Sequence, residues 1–313
     1  MTVSNAISSR KAPQGSRPAR GASSSSTGDR FELGRSPATL DPRIHAYRSD
    51  IADIALAGRI IAPHYARPLI RACGPHAAAL WDAPDAGENP VSELLPGEEF
   101  AVLEYAGGRA WGYCVADHRV GYVEAIRLTE AVEPTHIVCE ASAPIHPEGG
   151  ISSPILCRLP AGARLHGHER GPCLATEIGC VPLCYLRRIG EFESDAVAVA
   201  ERLLQTPYRA GGRSFRGIDC SGLAQLAYGL CGLPLPRETD QQRLLGEAVP
   251  EGEPLERGDL VFSGDHVALA VSNELVIHVG FETRMVTIEP LAAAKDGDAP
   301  IAVRRFAPIA VTA

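Results

Sequence analysis

In the run RGIDCSGLAQLAYGLCGLPLPRETDQQ, residues 216–242, Cys220 stands between a glycine-led turn and a short helical pattern. At a helix start, unpaired backbone N–H groups and the helix dipole favour an anion, so this position favours thiolate over thiol. Cys231, at the far end of the same pattern among apolar neighbours, is expected to be an inert core residue. A cysteine nucleophile needs an imidazole to take its proton and later return one to a leaving amine. Two histidines are placed for that work: His266 opens HVALAVS, and His278 lies in ELVIHVG. If these are paired strands, an odd-length turn centred on Ser272 sets His266 directly opposite His278, with Val267, Leu269 and Val271 on the other face. His266 would then serve Cys220 while His278 accepts its other ring N–H, fixing the tautomer as the third member of a triad does. The alternative reading makes each histidine a satisfied core or edge residue.

These residues need a scaffold, and the chain around them reads as α+β. ESDAVAVAERLLQTPY places Ala196, Val199, Ala200, Leu203 and Leu204 on one helical face, with Ser194 and Asp195 available as caps. The helix after Cys220 buries Leu223, Leu226, Ala227 and Leu230 and stops at Gly232, with Pro234 beyond. GDLVFSG, HVALAVSN and ELVIHVG follow as strands, so helices precede a sheet in a domain spanning 191–313.

Upstream, residues 67–130 and 131–190 each show short alternating runs broken by turn residues, the spacing of small β-barrels. The two segments echo each other, ELLPGEEFAVLE against CRLPAGARLHGH and VGYVEAIRL against IGCVPLCYL. Barrels of about 60 residues are small for independent cores and are expected to pack against a neighbour. Residues 41–66 suggest a helical lead-in, from Ile51, Ile54, Ala55 and a stop at Gly58, and residues 1–40 a disordered tail rich in Ser, Pro, Gly and Arg.

The 313 residues carry a formal charge of -8, with 25 basic against 37 acidic residues beyond position 30, a balance that gives no support for nucleic-acid binding. No apolar run approaches the ~18 residues of a membrane span. Nine cysteines at irregular spacing, with no secretory signal at the start, read as reduced thiols in the cytoplasm. His166, His168, Cys173, Cys180 and Cys184 lack a Cys-x-x-Cys knuckle and alternate with apolar residues as strands do, so no metal site is expected there. No cofactor is implied.

The pattern TPYRAGGRSFRGIDCSGLAQLAY, followed by RGDLVF, DHVALAV and VIH, resembles the NlpC-type peptidoglycan cysteine peptidases. That resemblance implies a circularly permuted papain-like domain with Cys220 as nucleophile, His266 as base and His278 as the orienting residue. The strand rhythm and the W…GYV ending resemble bacterial SH3-like barrels, and their combination with this domain is similar to the dipeptidyl-peptidase VI-like branch. The branch implies cleavage of the γ-D-glutamyl bond to a diamino acid in murein tri- and tetrapeptides with a free N-terminal L-alanine. Tyr208 and Asp219 would then meet the substrate amine, with Ser221, Thr239 and Asp265 lining the rest of the pocket. A carboxylate buried beside an ammonium is a paired charge that an amide-capped peptide could not match. Read from the residues alone, Asp219 can equally be an N-cap, Tyr208 a packed aromatic and Thr239 a turn residue. Ala210 departs from the family pattern, which has Trp at that place, and this alters one pocket wall. Glu98 and Tyr122 are candidate ligand contacts from the first barrel. Two other functions share these features: a non-catalytic wall-binding protein, which would need export, and a Cys-His acyltransferase or amidase on the same fold.

Overall fold

The computed structural model describes residues 40–85, 87, 90–147, 153–295 and 301–307. The tail expected over 1–40 lies, except for Leu40, outside the described residues. No helix among the described residues is long and apolar enough to cross a membrane.

The lead-in is not helical. Ile51–Asp53 and His64–Ala66 pair as short parallel strands around a single 3-10 turn at Ile54–Leu56. The Asp53 carboxylate caps that turn at the Ala55 N–H, 2.8 Å, and Pro63 follows too soon for further turns. Tertiary packing overrides the helical spacing, because Ile51 is buried with Leu103, Trp111 and Val120 of the next module.

That module is a five-stranded antiparallel sheet in the order Val120–Glu124, Arg109–Cys114, Glu99–Ala106, Leu69–Cys73, Leu128–Glu130, with a separate pair Ala78–Leu80 and Ser92–Leu94. Its core gathers Leu80, Leu94, Phe100 and Val123. The second module is built from three small antiparallel sheets, of three, two and three strands, around Val138, Ile145, Leu159, Leu174 and Val181. Each closes with a strand, a 3-10 turn and a strand: 120–124, 125–127 and 128–130 in one, 179–182, 183–185 and 186–188 in the other. The matching Leu-Pro turns meet. Arg164 N–H donates to the Pro96 carbonyl at 2.8 Å, and a Cβ at Gly97, where φ is +77°, would stand 2.1 Å from the Arg164 carbonyl oxygen. Only glycine fits there.

The second module also corrects the expectation of nine reduced thiols. Cys173 and Cys180, on neighbouring antiparallel strands with Cα atoms 6.0 Å apart, form a disulfide. The short hairpin through Thr176 and Gly179 brings them within bridging reach.

The C-terminal domain has helices α1 (Ala196–Glu201), α2 (Cys220–Leu230) and α3 (Thr239–Gln242). The six strands of its sheet are β1 (Glu247–Ala248), β2 (Leu260–Ser263), β3 (His266–Ala270), β4 (Leu275–Val279), β5 (Val286–Pro290) and β6 (Ile301–Arg305), in the order β1-β6-β2-β3-β4-β5. Asp195 caps α1 through the N–H groups of Val197 and Ala198. That helix stops before Leu203 and Leu204, and Leu204 is exposed rather than on the buried face. Leu223, Ala224, Leu226 and Ala227 of α2 pack on Leu260, Phe262, Val267, Leu269 and Ile277 in one core, so the helix bearing Cys220 lies across the strands bearing the histidines.

Both barrels abut this domain. Arg213, ahead of α2, is buried and makes two hydrogen bonds to Glu98 of the first barrel, at 2.8 and 3.0 Å. Glu98 therefore serves as an inter-module anchor rather than as a ligand contact, and its Oε2 also accepts from Leu95 N–H. Tyr122 is likewise engaged, its hydroxyl accepting from Arg48 of the lead-in at 3.1 Å.

Candidate active site

Asp219 sets where the nucleophile stands. Its Oδ1 accepts from the Gly222 N–H at 2.8 Å and closes the first turn of α2, which makes Cys220 the first helical residue. Its Oδ2 accepts from the Gly211 N–H at 2.9 Å and from Nη2 of Arg237 at 2.6 Å. Gly211 has φ of +70° and lies so close to Pro90 of the first barrel that a Cβ would meet its carbonyl oxygen at 2.2 Å. Arg237 is 2% exposed and also donates to Ser221 Oγ at 2.6 Å and to Ser92 Oγ of the first barrel at 3.1 Å. The start of the helix is thus locked by a buried ion pair that the barrel helps to satisfy. This corrects one expectation: Asp219 is the N-cap and already holds a cationic partner, so it is not a lone carboxylate waiting for an ammonium.

The Sγ of Cys220 faces the Asp265 carbonyl oxygen at 3.9 Å, beside the residue that precedes His266. His266 and His278 share a face of the sheet, and His266 Nε2 lies 2.9 Å from His278 Nδ1. Their register differs from the expected one. Leu269 pairs with Ile277 and Ala270 with Val276, so the histidines are diagonal neighbours rather than directly opposed. The turn is centred on Asn273 rather than Ser272, because the N–H groups of Val271 and Ser272 both reach the Leu275 carbonyl. A shift of two residues keeps every side chain on its face, which is why the imidazoles still meet. Val267 and Leu269 are in the core opposite, as the alternation requires.

Beyond His278 stands Glu289 of β5, its Oε2 2.9 Å from His278 Nε2. An ionised carboxylate only accepts, so His278 carries its proton on Nε2 and accepts at Nδ1. His266 then donates from Nε2, leaving its Nδ1 lone pair as the base. The orientation of the base is therefore set two residues away.

Burial decides the protonation of the pair. His266 is held down to about 4, first by desolvation and then by its electrostatic coupling to His278, and the Phe281 ring covers it with centroids 4.6 Å apart. Burial, and after it the Asp219 charge, pushes the Cys220 thiol up, and this outweighs the Val267 N–H and Arg237, which act the other way. The helix-start argument for a thiolate is thus overturned: at neutral pH the free protein holds a neutral thiol beside a neutral imidazole.

A pH dependence follows. Because His266 binds its proton less readily when folded than in an unfolded chain, stability falls as pH drops from about 6.5 to about 4. The full loss is about 3 kcal/mol at 1.36 kcal/mol per pKa unit. The acid limb of kcat/KM in the free enzyme is expected near pH 4, and a limb near 6.5 would reject the desolvated base.

The remaining candidates are placed as follows. Ser221 is buried within the Asp219–Arg237 network, donating to Asp219 Oδ1 at 3.3 Å. Tyr208 bridges to Ile218 just before the N-cap and lies under Arg284, whose guanidinium is 3.8 Å from its ring. Asp265 is exposed at the mouth of β3. Thr239 opens α3, whose Gln242 reaches back to the Ser221 carbonyl at 3.0 Å. Sequence reasoning missed Glu289, Arg237 and Phe281. Glu289 carried a signal, since it sits in the same strand phase as Thr287, the residue opposite His278; Arg237 and Phe281 carried none.

Comparison with known proteins bears on this arrangement. Residues 205–305 match the NlpC/P60 family, and residues 80–128 match the bacterial dipeptidyl-peptidase Sh3 domain. The chain is 28% identical over 243 residues to dipeptidyl-peptidase 6 of Lysinibacillus sphaericus, covering 68% of this chain and 89% of that protein. It is 42% identical over 76 residues to a probable endopeptidase NlpC homolog of Haemophilus influenzae, where the match spans 23% of this chain and 41% of the relative. A crystal structure of an NlpC/P60 family protein from Bacillus cereus superposes with a TM-score of 0.66 at 20% identity, covering 77% of this chain and all of that one. That likeness shows the fold: an α+β, papain-like domain preceded by SH3-type modules.

Proposed function

We propose, for a chain that carries an NlpC/P60 peptidase-family domain behind a bacterial dipeptidyl-peptidase SH3 domain, that it is a cysteine endopeptidase acting on short cell-wall peptides. The bond cleaved is the γ-D-glutamyl amide to the diamino acid, in peptides with a free N-terminal L-alanine. The observation that carries this reading is the chain His266–His278–Glu289, set beside the start of α2 where the Sγ of Cys220 approaches the carbonyl of Asp265, the residue preceding His266.

In the acylation step His266 Nδ1 takes the thiol proton as Sγ attacks the γ-carbonyl carbon. The Gly222 N–H is taken by the cap and the Leu223 N–H by the Asp219 carbonyl. The N–H of Cys220, without a protein partner among the described residues, and that of Ser221, which faces the Cys220 sulfur, are the donors for the oxyanion. Collapse of the adduct breaks the C–N bond, and His266 gives its proton to the departing amine. Water, deprotonated by the same nitrogen, then attacks the thioester, releasing the γ-glutamyl carboxylate and restoring the thiol. Incubation with L-Ala-γ-D-Glu-diaminopimelate should release L-Ala-D-Glu, read by mass spectrometry. An unchanged tripeptide rejects the reading, and transfer to an added amine in place of hydrolysis supports the acyltransferase alternative.

The amine end is read by Asp219 and Tyr208 beside the first barrel. Because Arg237 already neutralises Asp219, blocking the amine removes one charged hydrogen bond and does not strand a buried charge. N-acetylation should therefore lower kcat/KM by about 10- to 150-fold, the equivalent of ~1.5–3 kcal/mol. Equal rates on free and acetylated substrate reject the free-amine reading while leaving the cysteine peptidase in place.

Action in the cytoplasm, on imported or recycled wall peptides, belongs to the same reading. The Cys173–Cys180 disulfide argues against it, since such bonds persist mainly in oxidising compartments. Rapid alkylation in intact cells decides: two free thiols support the cytoplasm, and a retained bridge rejects it.

A further inference from the structure

A recess of about 250 Å³ lies where both barrels meet the segment leading to α2. Arg127 comes from the first barrel, Arg158 from the second, and Arg209 and Arg216 from the C-terminal domain. The one carboxylate in its lining, Glu93, is committed: it accepts from the Arg213 N–H at 2.7 Å and pairs with Arg209. Arg127 pairs at the surface with Glu124 at 3.2 Å. Arg158 reaches only the Ser142 hydroxyl, at 3.3 Å, and Arg216 lies over the Phe215 ring. Among the described residues neither Arg158 nor Arg216 has a carboxylate partner. Four arginines thus line a recess that holds a single carboxylate, already paired with one of them, in a chain whose net charge is -8.

Two buried polar groups add to the charge. Ser214 lines the recess at 2% exposure and its Oγ has no hydrogen-bond partner, and the buried Nε of Arg209 is also unpartnered. A buried hydroxyl or guanidinium N–H without a partner is destabilising, so both groups call for an acceptor. Guanidiniums present paired N–H donors that match the oxygens of phosphate or carboxylate.

We propose that this recess binds a multivalent oxyanion, the phosphate or polycarboxylate group of a small molecule, held by Arg127, Arg158, Arg209 and Arg216 with Ser214 donating from its buried hydroxyl. The site is separate from Cys220 and does not depend on the peptidase reading. All three modules contribute to its lining, so its occupant stabilises their mutual packing.

Isothermal titration of the full chain at low ionic strength, with pyrophosphate in one arm and citrate in the other, tests this. Binding is expected in at least one arm; pyrophosphate alone identifies a phosphate source and citrate alone a polycarboxylate. The double variant R158A/R216A should weaken that binding by at least about tenfold, corresponding to ~1.4 kcal/mol. Both side chains are exposed, so the variant is expected to fold, as its circular dichroism will check. Ser214→Ala should weaken binding less, and Arg170→Ala, an exposed arginine outside the recess, should leave it unchanged. No binding in either arm, an unaltered affinity in the double variant, or an equal loss in Arg170→Ala overturns the proposal.

Discussion

Cys220→Ala is expected to abolish peptide cleavage while the protein keeps its fold, whereas Cys231→Ala is expected to do the reverse. Cys220 is only partly buried, and its helix is started by the Asp219 cap rather than by the thiol, so alanine removes the nucleophile and little packing. Cys231 is fully buried at the other end of α2, where burial pushes its thiol up to about 12 and leaves it unreactive. Its replacement opens space in the core shared by α1, α2 and the sheet, at about 1–2 kcal/mol. The two variants are compared by turnover of L-Ala-γ-D-Glu-diaminopimelate and by thermal midpoint. Comparable loss of activity in both, with both folded, would contradict the assignment of the nucleophile to the helix start.

His266→Ala is expected to lower kcat by at least about 10²- to 10⁴-fold, the contribution of a positioned acid-base group. The residues behind it separate by chemistry. His278→Asn places an amide oxygen where Nδ1 stood, so the His266 N–H keeps an acceptor and part of the rate survives. Glu289→Gln is expected to be worse than its conservative appearance suggests. The new amide can donate to His278 Nε2, which moves the His278 proton to Nδ1, turns His266 Nε2 into an acceptor and puts the proton on Nδ1, where the lone pair is needed. The expected loss is about 10- to 100-fold in kcat with little change in KM. In the double variant H278N/E289Q the second change should add nothing, because asparagine at 278 no longer transmits the tautomer. Full additivity would show that Glu289 acts on stability rather than through His278.

Much of the site was legible because its logic is local. Asp219, Cys220 and Gly222 fall within one helical turn, so the cap and the exposed helix start follow from residue type and spacing alone. His266 and His278 have the same strand parity, and parity survived a register error of two residues. The lead-in was misread because three apolar residues can satisfy a helical spacing by chance, and burial of Ile51 against Trp111 settled the matter.

What residue order alone made legible were the faces: which side of α2 is buried and which side of the sheet carries the imidazoles. Those are consequences of fixed backbone periods, 3.6 and 2, which any packing must respect. The partners and the charges came from packing across distant parts of the chain. Arg237 meets Asp219 across 18 positions, Glu289 meets His278 across the neighbouring strand, and Arg213 meets Glu98 across 115 positions. No local pattern encodes such pairs, because a buried charge takes whichever opposite charge the packing brings within reach. The same burial reversed the protonation expected of Cys220, since the dipole of a helix start is a local property and desolvation is a property of everything folded around it.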